Sequence, residues 1–148
     1  MTSLSHALIG ASISAKITNP WPVLVVCLFT HFACDAIPHW DLGTNWRNRP
    51  KSVTGMLAIA ETLLAVLGTY ALFSHLVPST TTLLIAIIFS LLPDWLEAPY
   101  FVLLPNPPKF FYYIYKFQST VHEKLRAPYG VITQIGVVLA FLFVGFVI

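Results

Sequence analysis

Long apolar runs, separated by short polar connections, make up most of this chain. The runs cover residues 4–17, 22–37, 54–77, 82–92 and 131–148. Continuous apolar stretches of this length are typical of buried or membrane-embedded helices rather than of strands. We therefore predict an all-α, polytopic membrane protein with about five membrane-embedded helices, forming a single integral membrane domain over residues 1–148.

A sixth segment has a different pattern. Lys109 to Lys116 places five aromatic residues between two lysines. Aromatic rings prefer the headgroup level of a bilayer, and lysines extend from there into water. We expect an interfacial helix here, followed by the C-terminal apolar helix.

Composition supports membrane insertion. The chain is 57% hydrophobic and 9% charged, with a mean hydropathy of +0.76, whereas soluble domains average about 25% charged residues. The net charge of +2 is too small and too scattered to argue for nucleic acid as a partner. Membrane lipids are the expected partners, and the sequence leaves the oligomeric state open.

The distribution of lysine and arginine predicts the orientation. The loop of residues 42–53 carries three basic residues and the segment 104–130 carries four, whereas the turn 77–82 carries none. Because basic loops remain on the cytoplasmic side, both of these segments and the N-terminus are expected to be cytoplasmic. The expected location is therefore a membrane with the N-terminus on its cytoplasmic side.

The densest polar cluster lies in residues 30–41. His31 and Asp35 are four residues apart and would share one face of a helix. His39 and Asp41 follow just beyond the proline expected to end that helix. Charged and imidazole groups in an apolar setting cost free energy unless they are paired, hydrated or bound to a metal.

The predicted topology brings further polar residues to the same depth. His6 begins the first helix, Glu61 lies in the inner third of the third, Asp94 and Glu97 close the fourth, and His122 lies in the inner loop. We predict a metal site here, with Glu61, Glu97 or His122 as a further ligand or general base. The predicted metal ligands are His6, His31, Asp35, His39, Asp41 and Asp94.

Mixed imidazole and carboxylate ligands favour a divalent transition metal, zinc first and manganese or iron as alternatives. One ion or two can be accommodated, and two would need a bridging carboxylate from Asp35, Asp94 or Glu61. Structural roles stay open for each residue: His31 and Asp35 as a buried pair, Asp41 as a cap, and Glu61 as a partner of a lysine or of His6.

The basic residues nearest this cluster could hold a phosphate or, more simply, anchor lipid headgroups and set the topology. They are Arg47, Arg49, Lys51, Lys124 and Arg126.

Residues 37–40 and 92–95 share the pattern apolar–Pro–His/Asp–Trp, at an offset of 55. This offset predicts two parallel helical-hairpin repeats, residues 3–41 and 58–97. A two-fold arrangement of the repeats would pair His6 with Glu61 and His39 with Asp94.

The chain resembles a family of small inner-membrane proteins, the bacterial membrane-bound metal-dependent hydrolases. Ser5–Ala11 is similar to the family's N-terminal Thr-His-x-x-x-Gly helix, Ser90–Asp94 to its Leu-Leu-Pro-Asp segment, and Asp35–Asp41 is similar in style. The resemblance implies that His6 and Asp94 are metal-site residues. The chain departs from the family directly after Asp94, where the family's Asp-x-Asp-His run is absent from the sequence.

The leading interpretation is therefore a metal-dependent hydrolase that acts on a lipid or lipid-linked phosphoester at the cytoplasmic face. Two alternatives remain: a metal-ion or proton transporter or channel, and a non-enzymatic scaffold with a structural metal. The outer halves of the second, third and fourth apolar runs lack a polar path, which weighs against transport.

Overall fold

The computed structural model describes residues 1–44 and 46–148 and is all-helical, with 75% of the chain in helices. The six helices are α1 (Ser3–Lys16), α2 (Pro20–Asp35), α3 (Lys51–Phe73), α4 (Thr80–Ala98), α5 (Lys109–Val121) and α6 (Tyr129–Phe146). A single turn of 3₁₀ helix, Trp46–Asn48, precedes α3. The predicted fold class, all-α, is confirmed.

Side-chain caps begin three of the helices. The Thr2 hydroxyl accepts a hydrogen bond from the backbone N–H of Ser5 at the start of α1. Asn19 caps α2, whose first residue is a proline and so has no N–H that needs an acceptor. Ser79 caps α4. Each cap satisfies a backbone N–H that the helix leaves without a partner.

Helix α1 lies at the centre of the bundle, packed against α4 and α6, while α2 packs mainly against α4. Small residues on α1 allow this close packing. A Cβ on Gly10 would lie 2.6 Å from Ser90 Oγ and 2.9 Å from Ala86 O of α4. Glycine at this position therefore sets the distance between α1 and α4.

Three helices, α3, α4 and α6, are long and apolar enough to cross a membrane. Helix α2 is apolar but shorter, and α1, at 14 residues, is about 21 Å long at 1.5 Å per residue. Helix α3 is the most peripheral of the three long helices, with a π-helical segment at Leu64–Gly68. Its outward face is covered by large exposed apolar side chains, including Met56, Ile59 and Leu67.

The fourth helix extends beyond the apolar run 82–92. It continues through Pro93 to Ala98 and then into a π-helical turn, Pro99–Leu103. Proline removes one backbone hydrogen bond, and packing on neighbouring helices can hold such a helix together. Asp94 and Glu97 therefore project from a helical surface that α2 and α5 also contact.

Candidate metal centre

The centre is built around the last turn of α2. His31 and Asp35, four residues apart, are both buried, and His31 Nε2 lies 3.4 Å from Asp35 Oδ2. His31 Nδ1 donates a hydrogen bond to the backbone carbonyl of Ser90 at 2.7 Å. This bond assigns the proton of a neutral His31 to Nδ1 and leaves Nε2 as a lone pair directed at the carboxylates.

Helix α1 adds His6 to this pair. The His6 and His31 rings stack with their centroids 4.0 Å apart, and His6 Nε2 lies 3.1 Å from Asp35 Oδ1. Because Gly10, one turn further along α1, allows the close approach to α4, the same contact brings His6 towards Asp94. The Met1 ammonium also contacts Asp35 Oδ1.

Asp94 enters from α4, with Oδ1 placed 3.6 Å from His31 Nε2. The buried side chain of Gln118 on α5 donates to the same oxygen at 2.7 Å. The sequence analysis did not identify Gln118, because a single amide within an aromatic segment carries no metal-ligand signal. Its one signal is that it is polar on the α5 face that packs inward.

Residues 122–125, which we call the clasp, pair with the chain just after α2. Glu123 N donates to Asp35 O at 2.9 Å, His39 N to Glu123 O at 3.2 Å, and Leu125 N to His39 O at 2.7 Å. This backbone pairing holds His122 over His39, with ring centroids 4.5 Å apart.

His39 is fully buried, and its Nδ1 donates to the carbonyl of Ile37 at 2.7 Å, which leaves Nε2 as a lone pair. Burial lowers the pKa of His39 to about 4, so the ring is neutral near pH 7, the form that binds metals. His39 Nε2 lies 3.6 Å from Asp35 Oδ1 and 2.7 Å from His122 Nε2.

Asp41 supports the site from outside. Its Oδ2 lies 2.9 Å from His122 Nε2 and 3.2 Å from Lys124 Nζ. Burial acts to raise the pKa of Asp41, but the hydrogen bond from His122 and the charge of Lys124 outweigh it and hold that pKa well below its ordinary value. Asp41 is therefore ionised and orients His122, as outer carboxylates do in metal sites.

Two groups of donors could each hold a metal ion: His6, His31 and Asp94 form the first triad, and Asp35, His39 and His122 the second. Within each triad the donor atoms lie within 4.8 Å of one another. His31 Nε2 and Asp35 Oδ2 are buried without a hydrogen-bond partner. A cation would satisfy both atoms, which otherwise carry the cost of burial without a partner.

A cavity of about 580 Å³ opens beside the centre. Asp94, His122 and Asp41 line it, as do the cationic side chains of Arg47 and Lys124. Further lining residues are Glu61, Glu97, Leu57, Ala58, Trp46, Trp95 and Tyr115.

The repeat predicted that Glu61 pairs with His6, but in the structure Glu61 has a different partner. Its Oε1 accepts from the backbone N–H of Ser3 at 2.7 Å, at the start of α1. The second predicted pair also differs, because His39 contacts Asp35 and His122, whereas Asp94 contacts His31. Both pairings assumed a two-fold arrangement of hairpins, whereas α1 and α2 both pack on α4 and α3 lies at the edge.

The predicted basic residues separate into two groups. Arg47 and Lys124 line the cavity, and Arg47 donates to the Tyr115 hydroxyl at 2.6 Å. Arg49 instead donates to the carbonyls of Leu42 and Thr44 and braces its own loop. Lys51 and Arg126 are exposed and do not line this cavity in the part of the chain that the structure describes.

In comparisons with known proteins, no family model, curated protein or solved structure matches the chain.

Proposed function

We propose that this chain is a polytopic protein of a bacterial inner membrane. Helices α1–α4 and α6 are embedded and α5 lies at the interface. Support comes from the three helices with the length and composition to span a membrane and from the apolar, lipid-compatible face of α3. The basic loops and the N-terminus are cytoplasmic by the positive-inside rule. The metal centre then lies at the cytoplasmic end of the bundle.

We further propose that the protein is a metal-dependent hydrolase that acts on a lipid or lipid-linked phosphoester. One observation carries this proposal: each of the two triads of metal-binding donors places one member, Asp94 or His122, on the wall of a cavity that two cationic side chains also line. The resemblance to the membrane-bound metal-dependent hydrolases, through the segments around His6 and Asp94, supports the same proposal.

The donors fit a transition metal, since neutral imidazole and carboxylate are the ligands that zinc, manganese and iron share. His6, His31, Asp94, Asp35, His39 and His122 would hold it. When bound, a divalent metal supplies Lewis-acid polarisation of water and of a phosphoryl oxygen.

The chain's own residues have distinct roles in this proposal. Arg47 and Lys124 bind the non-bridging oxygens of the phosphate, because their charges face the cavity. Glu61 or Glu97, both outside the two triads, accepts the one proton that the attacking water loses. Leu57, on the α3 wall, contacts the first carbons of the lipid.

The test is a hydrolysis assay with purified, metal-loaded protein in detergent, using a panel of phospholipids and isoprenyl phosphates. We expect one class to be hydrolysed and Asp94→Ala to reduce the rate at least about 100-fold, because the residue combines ligand and orientation roles. His75→Ala, an exposed histidine outside the centre, should retain full activity. Equal rates for wild type and Asp94→Ala, or no hydrolysis of any member of the panel, would contradict the proposal.

A further inference from the structure

The centre contains more donors than one zinc ion takes from a protein. Four imidazoles and two carboxylates make up the two triads. A zinc ion takes four protein ligands in a structural site and three in a catalytic site. The six side chains therefore exceed the needs of one zinc ion, and their grouping into two sets of three matches two ions.

Asp35 lies between the two triads and contacts the imidazoles of both. Its Oδ1 is 3.1 Å from His6 Nε2 and 3.6 Å from His39 Nε2. Its Oδ2 is 3.4 Å from His31 Nε2 and 3.8 Å from His122 Nδ1. Each oxygen thus faces one histidine of the first triad and one of the second.

The Met1 ammonium contacts Asp35 Oδ1, but other donor atoms of the centre remain without a partner. Asp35 Oδ2 and His31 Nε2 have no hydrogen-bond partner, and both residues are 1% exposed. In the second triad, the lone pair of His39 Nε2 and the carboxylate of Asp41 both lie within 2.9 Å of His122 Nε2. A single ring nitrogen carries at most one N–H, so His122 Nε2 cannot donate fully to both acceptors.

We propose that the centre binds two divalent transition-metal ions, one in each triad, with the carboxylate of Asp35 shared between them. The inference rests on the metal binding in the proposed function but not on hydrolysis. A shared carboxylate between two ions is the arrangement that phosphoester hydrolases of the two-metal type use. Asp35 would then be the one donor among the six that contacts both ions.

Metal stoichiometry tests the number of ions. Wild-type protein is saturated with Mn²⁺ alone, freed of excess metal, and analysed for manganese per chain. We expect two equivalents in the wild type, about one in His6→Ala and about one in His39→Ala, because each variant removes a donor of a single triad. His75→Ala is the matched control and should retain two. Saturation of the wild type at one equivalent would overturn the inference.

Electron paramagnetic resonance of the same wild-type sample tests the sharing, and it does not depend on any variant folding. Two Mn²⁺ ions joined by a carboxylate give an exchange-coupled spectrum, whereas separate ions give the six-line signal of isolated Mn²⁺. We expect the coupled spectrum in wild type and the six-line signal in His39→Ala. A six-line signal from wild type with two equivalents bound would show that Asp35 is not shared.

The two proposals fail separately. Two coupled ions in a protein that hydrolyses no substrate would sustain the shared-carboxylate centre and contradict the hydrolase. Hydrolysis by a protein that saturates at one ion would support the hydrolase and contradict the shared-carboxylate centre.

Discussion

A buried glutamine, Gln118, controls the orientation of the Asp94 carboxylate. Its Nε2 donates to Asp94 Oδ1 at 2.7 Å, the same oxygen that lies 3.6 Å from His31 Nε2. Asp94 is the most exposed member of its triad and lines the cavity. Without a fixed partner its side chain would be free to rotate away from the two histidines.

We predict that Gln118→Ala weakens Mn²⁺ binding about 10- to 100-fold, which is the usual cost of removing a hydrogen bond that orients a metal ligand. Affinity is measured by competition with a chelator. The matched control is Gln134→Ala, which removes a second buried glutamine, hydrogen-bonded at 3.0 Å to Thr2 Oγ1. An unchanged affinity in Gln118→Ala would contradict the assigned role.

At the scale of residues, local spacing was the reliable guide. The separation of four between His31 and Asp35 predicted a shared helix face, and the two side chains lie 3.4 Å apart. The predicted partner of His6, Glu61, was wrong. It was inferred from a two-fold symmetry between hairpins that the helix packing does not have. Gln118 was missed because long-range contacts between α5 and α4 leave no trace in local sequence.

At the scale of elements, the contact between α1 and α4 positions His6 relative to Asp94. Gly10 is the point of closest approach, since an added Cβ would meet backbone atoms of Ala86 as well as Ser90 Oγ. A backbone atom cannot move aside as a flexible side chain can. Any side chain at position 10 must therefore separate the two helices.

We predict that Gly10→Ala destabilises the protein by ~1–3 kcal/mol, the usual cost of overpacking, and lowers its bound metal. Thermal unfolding in detergent and elemental analysis measure the two effects. Gly136→Ala on α6 is the control, because nothing lies within 4 Å of a Cβ at that position. Equal unfolding temperatures for the two variants would show that α1 and α4 are not held at this distance by Gly10.

The extents of the elements were predictable where apolar runs coincide with caps. Thr2 and Ser79 mark the starts of α1 and α4. The continuation of α4 through Pro93 to Ala98 agrees with the predicted position of Asp94 and Glu97 at the end of the fourth helix, because packing outweighs the tendency of proline to end a helix. The clasp was unforeseen, since its hydrogen bonds join segments more than 80 residues apart.

At the scale of the whole molecule, the proposed orientation places the α2–α3 loop and the α3–α4 turn on opposite sides of the membrane. Ser52 and His75 are exposed positions near these two ends of α3. The native cysteines, Cys27 and Cys34, are both buried. Replacing them with alanine leaves a background in which single cysteines report which side they face.

We predict that a membrane-impermeant maleimide added to intact spheroplasts labels His75→Cys, and labels Ser52→Cys only after permeabilisation. The reason is the positive-inside rule, since the basic residues cluster at the Ser52 end. Labelling of both variants in intact spheroplasts would mean that α3 does not cross the membrane. Labelling of Ser52→Cys alone would reverse the orientation.

The clasp also determines when the centre can form during synthesis. His39 and His122, which it brings together, are 83 residues apart in the chain. At about 5–20 residues per second, roughly 4–17 s separate their emergence from the ribosome. Throughout that interval the donors of α1 and α2 exist without the ring that completes the second triad. The centre is therefore complete only after α5 has been made, and loading of the proposed metal site would be a late event in the maturation of the nascent chain.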